Sequence, residues 1–182
     1  KLIDDKLGGT TPLDIIIQFN DKKYADDDLD EDFLDLNFDF NPEDYWFTKE
    51  KMDLIKNVHD YLDRFEYTGK VLSLASIIRV AEELNSDEEF DNLELSVIYK
   101  KLPLDLKSQI IDPYLSIENN QARITVRMID TNASLERNAF IGEINDKFNN
   151  DFKSENYQIF TTGILILYNN MLQSLFDSQI VS

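Results

Sequence analysis

Apolar positions 13, 15, 16, 17 and 19 crowd into a run rich in β-branched residues, bounded by Pro12 and Asn20, and predict a mostly buried first strand. Residues 21–47 then break all periodicity. Order returns at Thr48, which can cap a helix running to about residue 67 with Gly69 as its stop; Met52, Ile55, Val58, Leu62 and Phe65 recur at three- and four-residue steps along one face of it. Residues 70–73 read as a short second strand. A helix starting at Ser73 or Ser76 carries Ile77, Ile78, Ala81 and Leu84 to about residue 85. Two short helices are expected at 91–102 and 103–111, with Pro103 in the first turn of the second and Asp112-Pro113 ending it.

The clearest alternation lies at 122–128, where Ala122, Ile124, Val126 and Met128 alternate with Arg123, Thr125 and Arg127. That period of two marks a half-exposed strand. Residues 118–121 form a turn before it, so 114–117 can pair with it as a hairpin. Asn132 or Ser134 caps a helix to about residue 152, with Ile141, Ile144, Phe148 and Phe152 inward. Residues 157–162 form the last strand, and Gly163 turns it into a final helix over 164–182. Without the loop at 21–47 and the helical insert at 75–112, the order is β-α-β-β-α-β. The expected fold class is therefore α+β, a single domain over 1–182 with a ferredoxin-like core of two βαβ halves.

Composition changes this picture in one place. Of the formal charge of −18, half falls on residues 21–50, which hold 12 acids and 3 lysines. Such a run reads as a solvated loop. Asp26, Asp28 and Asp30 alternate as in a calcium loop, but Glu31 stands where the turn needs Gly and Asn37 where a bidentate Glu is required. A specific calcium site is rejected on those grounds. Tyr45-Trp46-Phe47 closes the loop and is expected to anchor it by burial. The acidity argues against nucleic acid and against an anionic membrane surface as partners. The absence of Cys excludes disulfides, thiolate metal sites and a cysteine nucleophile.

Candidate chemistry is sparse. His59 is the only histidine and lies beside the apolar face of its helix, with no nucleophile partner identifiable in the sequence. Arg123 and Arg127 share a strand face with Thr125, an arrangement that suits an intramolecular ion pair better than an anionic ligand. No phosphate-cradling glycine loop, metal constellation or Ser/His/Asp set stands out, so no catalytic residue, cofactor or metal is expected.

The ends carry more information. Tyr168, Met171, Leu172, Leu175 and Phe176 form an apolar stripe that continues to the last residues, and Lys1 to Leu7 read as the tail of a helix closed by Gly8-Gly9. Both are expected to be helices whose continuations lie outside the chain, the second leading toward a transmembrane segment. Leu7-Gly8-Gly9-Thr10-Thr11-Pro12-Leu13 followed by an apolar strand resembles the start of the large extracytoplasmic loop of RND-superfamily exporters, in particular the MMPL-like, hydrophobe/amphiphile efflux branch. Tyr45-Trp46-Phe47-Thr48, the run from Lys70 to Ala75, Tyr99-Lys100-Lys101-Leu102-Pro103 and the run from Ala122 to Arg127 resemble that family in the same order. So does Thr162 to Phe176, where Gly163, Tyr168, Asn169, Asn170, Met171, Gln173 and Ser174 carry the most specific pattern.

The resemblance implies a non-enzymatic porter domain on the extracytoplasmic face of a membrane, in the periplasm or at the cell exterior. Its implied partners are the transmembrane helices and second porter domain of the same exporter, a hydrophobic or lipid-like substrate, and further copies of the full-length protein. Family proton-relay carboxylates belong to transmembrane helices, so none is carried over. The other class open to the sequence is a free-standing ligand-sensing or protein-interaction module on the same core.

Overall fold

The computed structural model describes residues 11–20, 46–66, 68–129 and 134–163, with the backbone alone at 134–138, together with 166, 167, 170, 171 and 174. The elements in chain order are β1 (Thr11–Phe19), α1 (Lys49–Asp63), β2 (Thr68–Leu72), α2 (Leu74–Leu84), α3 (Asn92–Lys101), the single turn α4 (Leu104–Leu106) running into a π-helical turn at Lys107–Ile111, β3 (Leu115–Ser116), β4 (Gln121–Met128), α5 (Ser134–Asn150) and β5 (Tyr157–Thr162). The fold is mixed α+β. Its sheet runs β2-β4-β1-β5 with every neighbour antiparallel, and the two-residue β3 pairs with β4 off that path. In each βαβ unit, a strand of the other unit lies between the two strands. That interleaving is compatible with the ferredoxin-like core.

Among the described residues, helices cover one sheet face and leave the other open, and β1 records the difference. Leu13, Ile15, Ile17 and Phe19 are buried, whereas Asp14, Ile16 and Gln18 point to the other side and are only half-buried. The β-branched run is thus not a strand buried on both faces. An antiparallel sheet covered by helices on one side needs only alternate positions to be apolar. β4 follows its sequence pattern, with Ala122, Ile124, Val126 and Met128 inward. Onto this face pack Met52, Ile55, Val58 and Leu62 of α1, and Phe140, Ile144 and Phe148 of α5. Phe65 meets Phe140 edge-on at 5.0 Å between ring centroids, which ties the chain just after α1 to α5.

Several boundaries differ from expectation, each for a local reason. α1 stops at Asp63 rather than near 67, with the Arg64 amide turning back to the Tyr61 carbonyl. Gly69 is not its stop. It lies in β2, where the pairing register with β4 shifts between Thr68 and Lys70, and an interrupted ladder of this kind is a usual place for glycine. The expected helix at 103–111 is a single α turn continued by the wider π turn, and Pro103 is its N-cap rather than part of its first turn. The hairpin forms as expected, and Asn120 takes φ +53° in its turn, a left-handed conformation that Asn tolerates better than most residues. The acidic segment at 21–45, the calcium-like Asp26, Asp28 and Asp30, the helix tail at 1–7 and the possible cap Asn132 lie outside the described residues.

Candidate functional site

α2 and α3 carry the same apolar stripe. Leu74, Ile77, Ile78 and Ala81 recur at i, i+3, i+4 and i+7, and so do Leu95, Ile98, Tyr99 and Leu102. That period puts each set on one helix face. The two faces meet only in part, and between them, closed by Phe47, Phe90 and Ile111, lies a shallow cleft of about 440 Å³ counted out to open solvent. Its lining is almost wholly apolar, and Phe47 stacks on Tyr99 at 4.3 Å in its wall. The ammonium of Lys107 stands 3.9 Å from the centroid of the Tyr99 ring, a cation held against the aromatic wall. Elsewhere on the insert Val80, Leu106, Leu84 (85% exposed) and Leu104 (81%) are exposed apolar side chains. An apolar cleft of this kind suits an apolar ligand or partner.

The insert is fastened to α1 along its length. Lys56 pairs with Glu82 and Asp60 with Arg79, both across α1 and α2. Asn92 Oδ1 accepts from the Lys49 amide at 2.7 Å, so the start of α3 is tied to the start of α1. Lys49 and Glu89 make an exposed ion pair whose hydrogen bond raises the lysine pKa and lowers that of the glutamate. Between these polar ties sits His59, 6% exposed, with its Nδ1 2.9 Å from Ser73 Oγ. Burial lowers the His59 pKa, Arg79 lowers it further, and Asp60 and Asp63 oppose the shift. Ser73, at 1% exposure, is the N-cap of α2 and accepts from the Ala75 amide at 3.1 Å. The sole histidine therefore does have a serine partner, one that lies 14 residues away in sequence. Both members are enclosed, and the hydroxyl is engaged in capping α2.

The described residues carrying the resemblance divide between four places: β1, the segment before α1, the end of β5 and the helical positions beyond it. Leu13 is fully buried opposite Val126, and Pro12 is exposed at the start of β1. Trp46 is buried as expected, with its Nε1 donating to Asn120 Oδ1 at 2.7 Å and its ring edge-on to Phe19 and to the cleft residue Phe47. Beside it Lys51, itself buried, sets its ammonium 4.7 Å from the Trp46 ring centroid. Gly163 has φ +106°, and a Cβ there would lie 3.3 Å from the backbone nitrogen of Asp14. Only glycine suits that conformation without strain. Asn170, Met171 and Ser174 are exposed helical positions, with Met171 at 51%. Gly8, Gly9, Thr10, Tyr168, Asn169 and Gln173 lie outside the described residues. Among the described residues these positions are not gathered at the cleft, and Trp46 alone approaches it, through Phe47.

On the open sheet face, Arg123 holds Asp14 in a two-pronged ion pair, Nε at 3.0 Å and Nη2 at 2.8 Å, and the Thr125 hydroxyl donates to the same carboxylate at 2.9 Å. The intramolecular pairing expected of Arg123 is what forms. Arg127 stands opposite Lys70 in the register. Lys70, Arg123 and Arg127 against Asp14 make this face basic among the described residues. The sequence reading missed the cleft residues Ile77, Ile78, Ile98 and Tyr99; its available signal was the stripe repeated on two neighbouring helices. Among the described residues no group of three or more His, Asp or Glu side chains is placed to hold a metal ion, and no helix is long and apolar enough to cross a membrane. No family model matches the chain, and no curated protein matches it.

Proposed function

We propose that the chain is an extracytoplasmic porter domain of a proton-driven RND-type exporter of the MMPL-like branch, non-enzymatic, and that it forms part of the path of a hydrophobic or lipid-like substrate. The observation that carries this reading is the cleft between α2 and α3, with its apolar lining. The ordered motifs from Gly8-Gly9 to Ser174 and a core compatible with a ferredoxin-like fold support it. In this reading the domain rocks against a second porter domain of the same exporter, and the cleft passes between more and less open forms.

The test uses the full-length gene product in lipid vesicles, with a proton gradient and a fluorescent apolar dye as substrate. The expected result is gradient-dependent dye movement that Ile78→Glu reduces several-fold. Movement that ignores the gradient, or a variant as active as the parent, overturns the proposal. The same cleft suits a ligand-sensing module, and saturable dye binding without any gradient-dependent movement is the result that favours it.

A further inference from the structure

We propose that the His59–Ser73 hydrogen bond is a proton-operated latch that holds the first turn of α2, and with it one wall of the apolar cleft, against α1. The latch concerns access to the cleft whatever its ligand, and it stands or falls independently of the transport reading.

The geometry dictates what a proton does here. Ser73 Oγ already accepts from the Ala75 amide, so the arrangement that strands no donor has the hydroxyl donating to a neutral His59 Nδ1. Protonation turns Nδ1 into a donor. Two N–H groups then converge on one oxygen, and the buried hydroxyl proton loses its acceptor. The new charge finds little compensation. On its own helix Asp60 is already paired with Arg79, Lys56 is paired with Glu82, and Asp63 lies one turn on. From α2 the facing cation is Arg79, which opposes a second positive charge. β2 and β4 turn Val71, Ile124, Val126 and Met128 toward the helices, while Lys70, Arg123 and Arg127 lie on the sheet's far face.

The strain is released at one end of α2. Arg79 and Glu82, the residues tied to α1, lie in its C-terminal half, whereas Ser73 caps its N-terminus. Opening therefore frees the turn carrying Leu74, Ile77 and Ile78 while the rest stays tethered. These three side chains are cleft lining. The sign follows from the neutral form being favoured in the closed state: a His pKa lowered from 6.5 stabilises closure fully above that value, and the stabilisation is lost as pH falls below it, down to the closed-state pKa.

The test is a pH series on the chain, combining NMR titration of its only histidine with amide hydrogen exchange corrected for intrinsic rates. The expected result is a His59 midpoint below 6.5 and exchange at residues 74–78 that quickens by up to about tenfold per pH unit from 6.5 down to that midpoint, as one proton taken up per opening requires. β1 and β4 amides stay protected over the same range. His59→Gln, neutral at every pH, makes exchange at 74–78 independent of this titration. Arg79→Gln removes the opposing cation and raises the His59 midpoint toward 6.5, which narrows from below the pH interval of acid-quickened exchange and provides a second readout if His59→Gln does not fold. A midpoint at or above 6.5, acid-quickened exchange that persists in His59→Gln, an unmoved His59 midpoint in Arg79→Gln, or loss of protection spread evenly over the sheet each overturns the latch.

Discussion

Gly163 shows how a single residue joins two parts of the fold. Its φ of +106° redirects the chain from β5 toward the helical positions beyond, and its carbonyl accepts from the Leu167 amide at 3.2 Å. A side chain there meets the Asp14 backbone, and Asp14 is already committed to Arg123 and Thr125. Gly163→Ala is expected to destabilise the chain by about 1–3 kcal/mol, from backbone strain and contact with β1. Urea unfolding would reveal the loss; an unchanged midpoint would mean that the turn relaxes around a methyl group. Asn120 has a comparable role at the other end of β1, where its side chain receives Trp46 Nε1 and donates to the Phe19 carbonyl at 3.1 Å.

Among the elements, α3 is the one most clearly built from local signals. Asp91 and Glu94 form a reciprocal capping box, with the Glu94 amide 2.8 Å from Asp91 Oδ1 and the Asp91 amide 2.9 Å from Glu94 Oε2, and Lys100 and Lys101 complement its C-terminal end. Asp91→Ala is expected to cost about 1 kcal/mol and to lower the thermal midpoint by about 2–4 °C. Differential scanning calorimetry would record that shift. Features of this kind were legible in the sequence: the alternation of β4, the stripe of α1, the inward faces of α5 and, as one of two serines, the cap at Ser73. The illegible ones depend on partners far along the chain. Gly69 suits a helix stop as well as an irregular strand, and only its register with β4 decides between them. His59 and Ser73 meet because α1 and α2 pack together, and the cleft exists because two similar stripes fail to close completely. Neither relation has a signature within a single element.

For the whole molecule, charge is the dominant long-range term. At a net charge of −18 the compact state repels itself, and salt screens that repulsion over a length that falls from about 30 Å at 0.01 M to about 8 Å at 0.15 M. The thermal midpoint is therefore expected to rise across that interval. A fall would mean that ion pairs such as Lys56–Glu82 outweigh the net repulsion. The charge is also unevenly placed. Among the described residues, Lys70, Arg123 and Arg127 occupy the open sheet face with Asp14 as the one acid on its strands, and the chain without these four side chains carries −20. On the described strands, the sheet's open side thus carries a local charge opposite in sign to that of the chain, like the marked end of a compass needle.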